Sequence, residues 1–372
     1  MSTIPTIFNN NFTSYTVVGG KTRLASTGLS AVLLNRGGCY GRRHLFQDFE
    51  KTGFDYVISI ESSPDHYDVE ELSSRFPFVR FVLLKKEITL GEQINLAAAE
   101  LDTPLFFVTW NDLKIVAGGT ARRMAERLCV NPGSASKRQR PAEPQTGAVE
   151  GVQKESNESK EDETSGPFFK QLCTVPLILN SRFEALPTLI VPGIMKKGVL
   201  KKEVRTLFLA PRREGFPSLY PFDGVGFYDR DRFIRMGGFD GTLQHTHWQF
   251  MDFGFRARLW GEEISSTQMV KLSYDSTVPA EDNSIDASYY RFYLKNIAPV
   301  FRVDHAHLPL RCFPGYLLKS GGDLAAAWED FAESRRWVKT NCFRWRCDAW
   351  AIPGRWDHEP EAEMVVPGTG AL

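Results

Sequence analysis

The 372-residue sequence has no excess of either charge, with 45 Lys and Arg against 45 Asp and Glu, and therefore no global field that would recruit a nucleic acid or a membrane surface. It has no unbroken apolar run long enough to cross a bilayer, and its start, MSTIPTIFNNNFTS, lacks the basic-then-apolar order of a secretory leader. These absences lead to the expectation of a cytoplasmic protein with no transmembrane segment and no nucleic-acid partner; peripheral membrane contact stays open. The six cysteines, at 39, 129, 173, 312, 342 and 347, lack the paired spacing of a zinc site, and a chain of this length needs no disulfide framework. From Pro132 to Gly166 the chain has no aromatic residue and almost no aliphatic one. Such a stretch cannot offset the entropy of ordering, so it reads as a disordered insertion, with KRQR as solvated loop.

What is present is enough for a large core: 42% hydrophobic residues, including 27 Phe and 8 Trp. The first half alternates buried-strand runs with helical stretches. LSAVLL (29–34) ends at Asn35 and Arg36, DYVISI (55–60) ends at Glu61, and VRFVLL (79–84) follows a helix begun by Asp68 and Glu71 as a capping box. Thr89 and Glu92 form a second capping box for LGEQINLAAAEL, which leads to LFFVTWNDLKI (105–115). Strands separated by helices of about three turns predict parallel βαβ units. Apolar runs this continuous suit a sheet covered on both faces. LFFVTWNDLKI has no turn residue of the kind that marks a hairpin, so Asn111 and Asp112 read as the polar carboxyl end of a strand, where open α/β sheets collect ligands.

In the second half, residues 194–213 hold Lys196, Lys197, Lys201, Lys202, Arg205, Arg212 and Arg213 against Glu203 alone, a phosphate approach or merely a hydrated rim. The most informative block is FDGVGFYDRDRFIRMGGFDGTLQHTHWQFMDFGFRARLWGEEI (222–264). Asp229 caps RDRFIRM, Gly237 and Gly238 stop it, and Thr246 with Gln249 is expected to cap a longer helix. On that helix Met251, Phe255 and Leu259 form the buried stripe and Asp252 sits one position off it. His245 and His247 precede the helix as candidate donors or bases, or as ordinary loop histidines. Asp304, His305 and His307 share a strand-like setting but make a weak metal pattern. In the carboxyl-terminal DLAAAWEDFAESRRWV, Leu324, Trp328, Phe331, Arg335 and Val338 follow helical spacing and read as packing.

Residues 28–130 and 215–270 together resemble the family 2 glycosyltransferases of the GT-A fold, most specifically in GGFD and the helix after it. The resemblance implies an α/β fold, a GT-A-like sandwich around a mainly parallel mixed sheet. Its segments would be an N-terminal extension (1–27), a nucleotide-sugar-binding half (28–131), the insertion (132–166), an acceptor-binding half (167–310), a helical and aromatic extension (311–357) and a tail (358–372). It implies transfer of a sugar from a nucleotide-diphosphate sugar to a hydroxyl of a glycan, lipid-linked or protein acceptor, with inversion. By resemblance, Asn35 and Arg36 approach the nucleotide, Glu61 contacts its base or ribose, and Asn111 and Asp112 stand at the DxD motif, with Asp112 holding Mg2+ or Mn2+. Trp110, His245, His247 and Trp248 join the substrate-binding candidates, and Asp252 is the nearest family-like acid for a general base. The sequence departs from the family in two places: one carboxylate stands at the metal motif, and Trp248, Gln249 and Phe250 replace an acidic pair. Those departures keep in view a noncatalytic binding or assembly protein on the same fold, and the nucleotide-binding α/β core is one that a nucleotidyltransferase can also use.

Overall fold

The computed structural model describes residues 14–36, 42–61, 68–129, 171–193, 206–275, 277–321 and 323–356. The insertion and most of the basic stretch from 194 lie outside these residues. In chain order the strands are β1 (Tyr15–Gly19), β2 (Leu29–Leu34), β3 (Val57–Glu61), β4 (Val79–Leu84), β5 (Leu105–Trp110), β6 (Leu113–Ala117), β7 (Gln171–Leu179), β8 (Leu189–Pro192), β9 (Thr206–Leu209), β10 (Gly226–Asp229), β11 (Glu263–Tyr274), β12 (Val300–Arg302) and β13 (His305–His307). The α-helices are α1 (Arg42–Thr52), α2 (Val69–Arg75), α3 (Leu90–Glu100), α4 (Ala121–Cys129), α5 (Arg230–Met236), α6 (Thr246–Leu259), α7 (Ala287–Phe292), α8 (Phe313–Lys319) and α9 (Leu324–Thr340).

Nine strands form one sheet in the order β1-β4-β3-β2-β5-β10-β7-β11-β6. Strands β2, β3, β4, β5, β7 and β11 run one way, and β1, β10 and β6 run against them. The fold is α/β with a mainly parallel mixed sheet, as the runs of buried aliphatics require: every residue of β2 and β3 is buried, which only a sheet covered on both faces permits. β1, an antiparallel edge strand on β4, falls in the segment read from sequence as an N-terminal extension.

Aromatic pairs fasten the two halves of the sheet. Phe107 and Phe227 face each other across β5 and β10 with ring centroids 4.3 Å apart, and Phe106 stacks on Tyr228 at 5.0 Å. Each such pair adds about 0.5–1.5 kcal/mol beyond its buried area.

Local signals in the sequence act as read at three helix ends. Thr89 and Glu92 cap α3 reciprocally, Asp229 accepts from the Arg232 backbone N–H to cap α5, and Gly237 ends α5 in the left-handed region at φ 84°. Two expected capping boxes do not form. Asp68 makes no side-chain cap bond because Arg42 takes its carboxylate, and α6 begins at Thr246 behind His245, also without a side-chain cap. Gln249 instead reaches across to the start of α3, where Oε1 accepts from Gly91 N at 2.8 Å and Nε2 donates to Thr89 Oγ1 at 2.9 Å. Gly91 permits this approach, since a Cβ there would lie 2.6 Å from Gln249 Cδ.

α6 has no exposed stripe: His247 through Ala257 are all buried. On α9 the buried positions are Ala327, Phe331, Ser334 and Val338, while Leu324 and Trp328 stay exposed, so the packing face is turned from the one read by spacing.

Candidate functional site

After β2 the chain adds β3 and β4 on one side, then crosses back to place β5 on the other side of β2. That reversal is a topological switch point, and the crevice outside the carboxyl ends of such strands is where open α/β sheets bind ligands. Asn35 and Arg36 leave β2 there, and Asn111 and Asp112 leave β5. The Asn111 side chain joins them: Nδ2 donates to Arg36 O at 3.1 Å and Oδ1 accepts from Arg36 N at 3.0 Å, which fixes the Arg36 backbone. On the other side Asn35 Nδ2 donates to Ile60 O at 2.8 Å and to Ser59 Oγ at 3.3 Å. Ser59 Oγ donates in turn to Glu61 Oε1 at 2.7 Å, and Arg42 Nη1 donates to Glu61 Oε2 at 2.8 Å. Glu61 is thus a nearly buried, ion-paired carboxylate at the rim of the same crevice.

The Arg36 guanidinium lies 4.0 Å from the Trp110 ring centroid, a cation–π stack. Its Nε is 3.7 Å from Asp112 Oδ2, and its Nη2 pairs with Asp223 Oδ2. Asp223 comes from far along the chain, in the FDG turn before β10, and its backbone is left-handed at φ 56°. A non-glycine residue in that region persists where its surroundings hold it. Here Tyr274 OH donates to Asp223 Oδ2 at 2.9 Å and Trp110 Nε1 donates to the Asp223 carbonyl at 2.9 Å. Burial pushes the Asp223 carboxyl up to about 6, against the pull of Arg36 and the Tyr274 hydroxyl and with a further push from Asp112. Burial and the Asp223 charge likewise raise the Tyr274 phenol.

Trp110 and Asp223 also line a cleft of 540 Å³, whose other walls include His245, His247 and Glu281. His247 Nδ1 lies 3.0 Å from Glu281 Oε2, which also accepts from Tyr220 OH at 2.7 Å. Glu281 Oε1 is buried with no hydrogen-bond partner among the described residues. His245 Nε2 stands 3.3 Å from Ser284 Oγ and 3.4 Å from Asp282 Oδ2. The Asp282 carboxyl is held below its ordinary value, first by the Ser284 backbone N–H.

The structure therefore brings Asn35, Arg36, Glu61, Trp110, Asn111 and Asp112 to one crevice and places His245 and His247 on the adjoining cleft. It does not bring Asp252 or Trp248 there. Asp252 is 0% exposed: Oδ2 accepts from Arg256 Nη2 at 2.9 Å, while Oδ1 accepts from Asn296 Nδ2 at 2.7 Å and lies 3.1 Å from Lys295 Nζ. With each oxygen engaged inside the core, it has no face for an acceptor, which corrects its reading as a base. A π-helical turn over Tyr293–Ile297 delivers consecutive Lys295 and Asn296 to it. Trp248 is likewise core, donating Nε1–H to Ser284 O at 2.7 Å and stacking on Phe292. His305 is exposed and pairs with its neighbour Asp304. Asp223, Tyr274 and Glu281 escaped the sequence reading; the Asp-Gly turn in FDG was a signal for the first, and Glu281 in PAEDNS carried none.

No protein-family model and no curated protein sequence matches the chain. Among solved structures it is similar to GalNAc-T7 with UDP, GalNAc and Mn2+, at TM-score 0.52 and 12% identity over 88% of this chain and 58% of that one. It is also similar to S. aureus TarS in complex with UDP, at TM-score 0.38 and 12% identity over 82% of this chain and 70% of that one. A third is the mannosyltransferase PcManGT from Pyrobaculum calidifontis in complex with GDP-Man and Mn2+, at TM-score 0.37 and 10% identity over 84% and 74%. The chain spans little more than half the length of GalNAc-T7. Strand order, switch-point crevice and that similarity together show a GT-A-like fold.

Proposed function

We propose that this chain transfers a sugar from a nucleotide-diphosphate sugar to a hydroxyl acceptor, with inversion. The observation that carries the reading is the meeting of the β2, β3 and β5 ends at a switch point of a GT-A-like sheet, beside a cleft large enough for a sugar. The UDP, GalNAc and Mn2+ in the GalNAc-T7 structure support it.

The donor's nucleotide lies along Asn35, Arg36 and Glu61, and its diphosphate reaches toward Arg36. Divalent metal fits the donor set at the β5 end, since Asp112 and Asp223 supply hard carboxylate oxygens on either side of one cation. Among the described residues no group of three or more His, Cys, Asp and Glu is gathered. An ion such as Mg2+ is nonetheless commonly held by one or two carboxylates with phosphate and water oxygens completing its shell. When bound, it neutralises charge on the departing diphosphate.

His247 replaces Asp252 as the base. With its Nδ1 proton donated to Glu281, Nε2 is the basic nitrogen, and Glu281 stabilises the imidazolium that forms. The acceptor oxygen gives its proton to Nε2 and bonds to the anomeric carbon, and the carbon–oxygen bond to the diphosphate breaks with its electron pair. Attack from the face opposite the leaving group inverts the anomeric centre.

The test is a panel of UDP- and GDP-sugars, with and without Mn2+, read first by thermal stabilisation and then by release of nucleoside diphosphate. A ligand at 100 times its Kd adds about 2.7 kcal/mol of stability, which a melting experiment detects. His247→Gln and Glu281→Gln are expected to keep donor binding and lose about 10²–10⁴-fold in turnover. A folded protein that no nucleotide or nucleotide sugar stabilises would refute the reading and favour an assembly role. Pyrophosphate as the product would favour a nucleotidyltransferase.

A further inference from the structure

Arg36 is placed where a cation would be. Its guanidinium lies between Asp112 Oδ2, 3.7 Å from Nε, and Asp223 Oδ2, which Nη2 contacts. Its backbone is clamped on both sides by Asn111, and its plane rests over Trp110. Arg36 Nε is buried, faces Asp112 Oδ2 beyond hydrogen-bond reach, and makes no hydrogen bond with any described residue. A planar fork with an N–H so placed is suited to a phosphate oxygen. The two carboxylates it bridges are, by contrast, hard-oxygen donors for a dication.

The charges decide how these two uses combine. A diphosphate arriving alone would meet the Asp112 and Asp223 carboxylates that flank the guanidinium. A dication arriving alone would meet the guanidinium, at a separation where like charges repel strongly in a partly buried site. Neither ligand is well received without the other.

We infer that Arg36 is an exchangeable internal cation: it neutralises Asp112 and Asp223 while the crevice is empty, yields them to a divalent ion, and turns its fork to the donor's diphosphate. Metal and nucleotide then bind cooperatively, and the ion alone binds weakly. This inference rests on the reading of the crevice as a nucleotide-sugar site, but its first measurement needs no nucleotide.

The test is Mn2+ binding to the EDTA-treated full chain, followed by electron paramagnetic resonance of the free ion and by calorimetry. Wild type is expected to bind Mn2+ alone weakly, and Arg36→Met at least about tenfold more tightly, because the competing charge is gone. Addition of UDP or GDP is expected to tighten Mn2+ binding in wild type, and to tighten it less in Arg36→Met. Asp223→Asn in the Arg36→Met background is expected to abolish the gain. Arg36→Lys keeps a charge without the fork and, if the methionine variant does not fold, is expected to raise Mn2+ affinity about threefold. Unchanged or weaker Mn2+ binding in folded Arg36→Met, or in Arg36→Lys where only that variant folds, overturns the inference. If UDP or GDP still binds with Mn2+ in that case, the transferase reading stands without it; if Mn2+ affinity rises but no nucleotide binds, the exchange stands and the transferase reading falls.

Discussion

The Asp223 carboxyl offers a measurement that separates burial from ion pairing. Its side chain is only 12% exposed, so solvent does little to screen it. Burial raises its pKa from 3.8 to about 6 even though Arg36 and Tyr274 favour the anion. Between those values the folded chain holds the proton and the unfolded chain has released it. The folded state binds more protons in that window, so this group's contribution to stability falls as pH rises through it. A shift of roughly 2 units corresponds to about 3 kcal/mol. Asp223→Asn cannot ionise and keeps nearly the same shape, so it escapes the loss. Urea unfolding of wild type and variant, in EDTA, gives the difference at each pH, and taking that difference cancels groups the two chains share. The variant is expected to gain about 3 kcal/mol relative to wild type between about pH 3.5 and about pH 7.5. Parallel stability curves would show that burial does not govern this carboxyl. A gain in the opposite direction would show that pairing with Arg36 outweighs burial.

Asp252→Asn is expected to lower stability by about 3–5 kcal/mol, because Arg256 and Lys295 then remain buried without that carboxylate; a urea midpoint unchanged alongside lost turnover would restore Asp252 as the base. Trp110→Phe removes the hydrogen bond to the Asp223 carbonyl and the better cation–π face for Arg36, and an unfolding measurement is expected to show a loss of about 1–3 kcal/mol. Replacing residues 134–164 by a short polar linker is expected to leave cooperative unfolding intact, as their composition lacks the apolar residues a packed element needs; loss of the folded state in circular dichroism would show that they belong to the core.

The parallel half of the sheet was legible because its signals are local. LSAVLL and VRFVLL coincide with β2 and β4: every residue of the first is buried, and in the second Arg80 and Leu83 alone are partly exposed, so the apolar runs mark both strands. Thr89 and Glu92 complete each other within one turn, so the start of α3 could be read from two letters. β1 was not legible, because an edge strand pairs on one side only and its YTVVG is short and half exposed. The Thr246 and Gln249 pattern misled for a different reason: a capping box is a local competitor, and the Gln249 amide found better partners at Gly91 and Thr89, about 160 positions away.

The site divides along the same line. Asn35, Arg36, Asn111 and Asp112 follow strand ends and Glu61 closes one, and strand ends were readable. Their partners were not, because they arrive through space: Asp223 is 187 positions from Arg36, and Glu281 is 34 from His247. The single carboxylate of LFFVTWNDLKI, Asp112, gains its neighbour in the same way. A strand end that supplies one carboxylate looks incomplete only while the chain is read as a line. In the folded sheet β10 lies beside β5, so the turn that leads into β10 brings Asp223 to the cation that Asp112 already faces. The second carboxylate therefore depends on β10 pairing with β5. A substitution that loosens that pairing, such as Phe227→Ala opposite Phe107, is expected to weaken Mn2+ binding in the presence of UDP or GDP without touching either carboxylate. Calorimetry on the folded variant would detect this, and unchanged Mn2+ affinity would break the link between strand pairing and the site.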